Sequence, residues 1–157
     1  MKALSLTLSH LLQTLYTSKE HKNIKNKSVI KVMEYEFLKK NADEFLKNAE
    51  YLMEKGVLNL AAFNIEQAVQ LYLKYLLAKK IGEFPKTHSI KRLIFECSKF
   101  CRELGRILKE NINTIGEIEV AYISSRYYPI EFLEDEVKNM LNVAVKIREV
   151  VLKCLQT

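Results

Sequence analysis

The sequence predicts an all-α protein: an up-and-down bundle of four to five helices with an extra N-terminal amphipathic segment. Three observations carry this. Apart from short runs, no segment alternates with the period of two that half-buried strands show, while helical spacing of apolar residues recurs along the chain. Four Gly and two Pro in 157 residues leave few turns, and 48% apolar residues suffice for one core. Finally, Leu58 to Ala78 holds 15 apolar residues among 21. A helix apolar on nearly every side lies at the centre of a bundle or inside a membrane. Six polar residues, four of them between Asn64 and Gln70, argue against a membrane span.

Taken in order, residues 1–32 form an extension. Leu4, Leu8, Leu11, Leu12 and Leu15 share one face of a short amphipathic helix, and the stretch KEHKNIKNKSVIK after it is polar and basic. It can pack on its own bundle or a neighbouring chain, or act as a basic arm toward nucleic acid or membrane; Met33 could also be the true start. Residues 33–157 are the bundle. Met33 to Lys55 repeats Leu38, Ala42, Phe45, Leu46, Ala49, Leu52 and Met53 at helical spacing up to Gly56. So short a connection makes it the antiparallel neighbour of the central helix, Val57 to Lys80, which Gly82 caps. A third helix, N-capped by Thr87, presents Ile90, Leu93, Ile94, Cys97, Cys101 and Leu104, and Gly105 breaks it. A fourth runs from about Ile107 to Ser125, interrupted near Gly116, and a last one from Leu133 to Leu155.

Charge and cysteines exclude some functions. The net charge of +6 is concentrated in residues 1–31, where six Lys face one Glu, a net of +5. The other 126 residues hold 19 Lys/Arg against 18 Asp/Glu, a net of +1, so overall basicity is a weak argument for nucleic-acid binding by the bundle. Cys97, Cys101 and Cys154 contain no CxxC pair and meet no His cluster, so no metal site is expected. They read as small buried hydrophobes in a reducing, cytoplasmic compartment.

Three places could carry chemistry. Glu66, Gln67, Gln70 and Lys74 are polar positions on the central helix, lining either a solvated edge or a shared cleft. Lys86 and His88, in FPKTHSIKRL, sit where a helix start favours anions, or where a histidine is structural. Arg126, Tyr127 and Tyr128, in YISSRYYP, suit either a phosphate clamp with base stacking or a helix terminus packed in a dimer interface.

Residues 61–82 (AAFNIEQAVQLYLKYLLAKKIG), 84–94 (FPKTHSIKRLI) and 121–129 (AYISSRYYP), in that order and spacing, resemble a HEPN domain. The resemblance implies a helical bundle, frequent homodimers, and work beside a minimal nucleotidyltransferase in toxin–antitoxin or nucleotide-binding roles. Many members are metal-independent ribonucleases with an Arg, then four to six residues, then a His. Arg126 matches the Arg, but YYPIEFL follows and no His lies downstream. Without that imidazole no evident group moves the proton of the RNA 2′-hydroxyl, unless the fold brings His88 to Arg126. The expected function is therefore a non-catalytic, homodimeric module that binds a nucleotide, RNA or a nucleotidyltransferase partner, needs no cofactor and does not engage a membrane. The alternatives are a ribonuclease of degenerate motif and a purely structural oligomerisation module.

Overall fold

The computed structural model of the chain describes residues 35–156. The amphipathic and basic extension expected over residues 1–32, and Met33 itself, lie outside the described residues. All regular structure among the described residues is helical: α1 (residues 35–54), α2 (Leu58–Ile81), α3 (Ile90–Ser98), α4 (Arg102–Glu110), α5 (Ile112–Tyr127) and α6 (Glu134–Gln156). Four long helices form the bundle, and α3 and α4 are a short pair beside it.

The central position of α2 follows from its composition. Ala61, Ala62, Ile65, Ala68, Val69, Tyr72, Leu73, Leu76 and Leu77 are fully buried on it, against Val137, Met140, Ala144, Ile147 and Val151 of α6 and Ile115, Ile118 and Ala121 of α5. Burying one such Leu or Ile side chain contributes about 1.5–3 kcal/mol, so this helix dominates the apolar driving force. Cross-helix hydrogen bonds set α1 antiparallel to α2: Tyr35 donates to the Gly82 carbonyl, Tyr72 to Asp43, and Asn48 to Asn64 at 2.9 Å. Gly56 (φ 71°) makes the tight turn between them. Gly82 (φ 78°) caps α2 as expected, its N–H reaching the Ala78 carbonyl at 2.9 Å.

The helix breaks differ from expectation in three places. Ser89, not Thr87, caps α3: its extended backbone lets Oγ accept from Arg92 N at 3.3 Å, while Thr87 Oγ1 accepts from Ser89 N at 3.2 Å. The third helix ends at Ser98 and restarts at Arg102, so Gly105 lies inside α4. A Cβ on Gly105 would sit 3.4 Å from the Ser98 Cβ, so this glycine serves close packing of the two short helices and not their break. Gly116 likewise lies inside α5; the interruption falls at Asn111, which ends α4 and, through its carbonyl, starts α5.

The cysteines are not all reduced. Cys101 and Cys154 form a disulfide joining the start of α4 to the end of α6. Their expected reading as unpaired thiols does not hold, because the packing of α6 on α4 brings Cys154 to Cys101 across 53 residues of chain. Cys97 is the free thiol among the described residues, buried with its Sγ donating to the Leu73 carbonyl at 3.4 Å, and burial pushes it up to about 12. It is an inert core residue.

Candidate functional site

The polar stripe of α2 is not a solvated edge. Glu66 is fully buried and Gln70 is 4% exposed, while Gln67 and Lys74 are half-buried. Both carboxylate oxygens of Glu66 are occupied: Oε1 accepts from Gln70 Nε2 and Oε2 from Gln67 Nε2 at 2.7 Å. Lys74 Nζ donates to Gln70 Oε1 at 3.1 Å and lies 5.9 Å from the Phe84 ring centroid. Burial pushes the Glu66 carboxyl up to about 7, against the opposing pull of Gln70, Gln67 and the charges of Lys74 and Arg126. Burial also lowers Lys74, which Glu66 partly restores.

The loop before α3 brings His88 to this stripe. His88 Nδ1 lies 3.4 Å from Gln70 Nε2, and the imidazole stacks on Tyr122 of α5 with centroids 4.9 Å apart and planes 18° apart. The start of α3 does not offer its N–H groups to an outside anion. Glu119 of α5 holds that position, its Oε2 accepting from Ser89 Oγ at 3.1 Å and from Lys91 N at 3.0 Å. Lys86 is exposed, and no hydrogen bond, ion pair or ring contact ties it to the group among the described residues.

On α5, Arg126 lies one turn beyond Tyr122. Its Nε donates to the Tyr122 carbonyl at 2.8 Å, and its guanidinium lies over three rings: Tyr122 at 4.3 Å, Tyr127 at 4.9 Å and Phe63 at 5.5 Å. The side chain is exposed, and its Nη groups have no hydrogen-bond partner among the described residues. A guanidinium oriented by rings and one backbone bond, with its outer fork open, can take a phosphate or carboxylate in bidentate fashion. Tyr127 joins this cluster. Tyr128 is exposed beyond the helix and does not.

The fold thus unites Glu66, Gln67, Gln70, Lys74, His88, Arg126 and Tyr127, and leaves Lys86 and Tyr128 outside. Sequence reasoning misses three aromatic residues: Tyr122, which carries both His88 and Arg126, Phe63 beneath Arg126, and Phe84 beside Lys74. Tyr122 was within reach, being four residues before Arg126 and so on the same helix face. The polar stripe, histidine loop and arginine turn are joined in one α-helical bundle by contacts through Gln70 and Tyr122. The HEPN domain model matches residues 35–155. The chain belongs to the HEPN domain family. Among solved structures, the crystal structure of TT1696 from Thermus thermophilus is similar to this HEPN domain, with a TM-score of 0.67 and 21% identity over 76% of this chain and 97% of that one. That likeness concerns the fold. No curated protein matches the chain. No described helix is long and apolar enough to cross a membrane.

Proposed function

We propose that this HEPN domain is a non-catalytic binding module whose ligand presents a phosphate to Arg126 and an aromatic base to the neighbouring tyrosines, as a nucleotide or RNA does. The single observation that carries this reading is Arg126 itself: exposed, oriented over three rings, and with its outer nitrogens unpaired among the described residues. Lys74 and His88 lie on the same surface and add a cation and a polar ring. The homodimer belongs to the same reading. Ile112, Val120, Ile123 and Tyr127 follow one face of α5 and are exposed, Tyr127 by 71%, which is an apolar strip suited to a second copy. A minimal nucleotidyltransferase and a toxin–antitoxin role complete the proposal, with residues 1–32 as a separate extension.

Thermal unfolding with ATP and with short RNA tests the site. A rise in Tm that disappears in Arg126→Ala supports the reading, and no rise with either ligand overturns it. The proposed cytoplasmic location meets one opposing observation, since disulfides are uncommon there. Protein isolated under alkylating conditions would show a single free thiol if the disulfide persists in the cell.

A second reading, metal-independent ribonuclease, is favoured by one contact pattern: His88 and Arg126 both pack on Tyr122. One shared ring thereby links the arginine to a histidine that lies before it in the sequence. Cleavage of structured RNA without metal, abolished in Arg126→Ala and in His88→Asn, would establish it.

A further inference from the structure

Around the amide of Gln70 a fixed donor and a fixed acceptor set which way it faces. Its Oε1 accepts from Lys74 Nζ, a group that can only donate. Its Nε2 carries two hydrogens: one goes to the Glu66 carboxylate, and the other faces His88 Nδ1 at 3.4 Å, a ring nitrogen whose role the tautomer sets. With Glu66 ionised, turning the amide over would set its oxygen against the carboxylate and its NH2 against the Lys74 ammonium, two repulsive contacts in place of two favourable ones. Glu66 cannot escape this arrangement, since it is fully buried and Gln67 occupies its second oxygen. Glu119 is engaged by Ser89 and Lys91 and makes no hydrogen bond to His88.

We propose that Glu66 and Lys74 are positioning residues that lock the Gln70 amide, so that it donates to His88 Nδ1 and holds the His88 proton on Nε2. The exposed imidazole is then an N–H donor for an oxygen acceptor of the ligand, and it is not a general base for a hydroxyl. This rests on the reading above only in supposing that the ligand has such an oxygen. A phosphoryl oxygen bound by Arg126 and Lys74 is the chemistry that fits. If the site cleaves RNA, His88 in this tautomer hydrogen-bonds a phosphoryl oxygen, and other groups must take the 2′-hydroxyl proton and protonate the leaving oxygen.

The test is the 15N spectrum of the imidazole in the full chain, assigned by its loss in His88→Asn, at a pH where the ring is neutral. The wild-type protein is expected to show a pyrrole-like Nε2 and a pyridine-like Nδ1. Gln70→Glu, which places an acceptor-only group at Nδ1, should reverse the pattern. Gln70→Leu and Lys74→Met should move it toward the mixture of free imidazole, with amide spectra confirming that each variant folds. A proton on Nδ1 in the wild type overturns the proposal, as does an unchanged pattern in both Gln70→Glu and Lys74→Met. Titration with ATP separates the two levels. The expected tautomer with no response to ATP or to short RNA retires the binding reading and leaves the lock standing. With both correct, Gln70→Glu weakens ATP binding by about tenfold, the scale of one lost charge-assisted hydrogen bond.

Discussion

Two carboxylates sit against the central helix, and the fold treats them oppositely. Asp43 of α1 meets Lys39 at 2.6 Å, the Tyr72 hydroxyl, and Arg148 of α6 at 3.3 Å. Burial raises it, but the hydrogen bonds from Lys39 and Tyr72 and the nearby cations outweigh that and hold it below the usual carboxylate range. Glu66 of α2 is more deeply buried, its direct partners are neutral amides, and burial prevails to push it up to about 7. Partner type decides the difference: cations keep a carboxylate charged, whereas amides satisfy its lone pairs without cancelling its charge. The first arrangement is a clasp joining α1, α2 and α6. The second is a group near its own titration point, two hydrogen bonds from an exposed histidine.

The largest expected break in the comparison is Asp43→Ala, which leaves the Tyr72 hydroxyl and Arg148 without their acceptor. It should lower unfolding free energy by about 2–3 kcal/mol in urea titrations and leave ATP or RNA affinity unchanged. Next comes pH. Folding raises Glu66 above its ordinary 4.5, so between 4.5 and about 7 the native state binds more protons than the unfolded one. Stability from this group is therefore greatest below 4.5 and declines as pH rises through 7, by on the order of 3 kcal/mol. Asp43 slopes the other way, its contribution present above its ordinary 3.8 and lost as pH falls. Denaturant midpoints measured across pH ~5 to ~8 should thus flatten in Glu66→Gln relative to wild type; an equal slope in both proteins would contradict the Glu66 assignment.

Arg126→Ala comes third. It should cost ATP or RNA affinity about tenfold, roughly 1.4 kcal/mol, with stability changed by less than about 0.5 kcal/mol because the side chain is exposed. The smallest effect is Tyr122→Leu, which removes the ring under both His88 and Arg126 and should cost about 0.5–1 kcal/mol of stability, with Tyr122→Phe nearly neutral.

Much of this is legible in the sequence. The apolar excess of Leu58 to Ala78 announces the central helix, and Gly56 and Gly82 mark its limits, because helical periodicity and left-handed caps are local properties. The residues that gather at the site, from the Glu66 to Lys74 stripe through His88 to Arg126 and Tyr127, all stand out in the chain by residue type and local spacing. What the chain order cannot supply is which groups meet. Tyr122 beneath His88 and Glu119 at the start of α3 are contacts between helices, and nothing local encodes them. Thr87 reads as a cap because Thr and Ser have the same capping chemistry and only backbone geometry separates them. The Cys101–Cys154 pair spans 53 residues and depends on the packing of α4 against α6.

That disulfide closes a covalent ring around α4, α5 and all but the last two residues of α6. A single peptide cut anywhere from Arg102 to Lys153 therefore opens the ring without dividing the molecule. The exposed connection around Tyr128 to Glu131 is the natural place for a protease to act. Such a nicked chain would run as one species without reductant and as two with it, and α6 would remain tethered to the bundle that α5 helps to form.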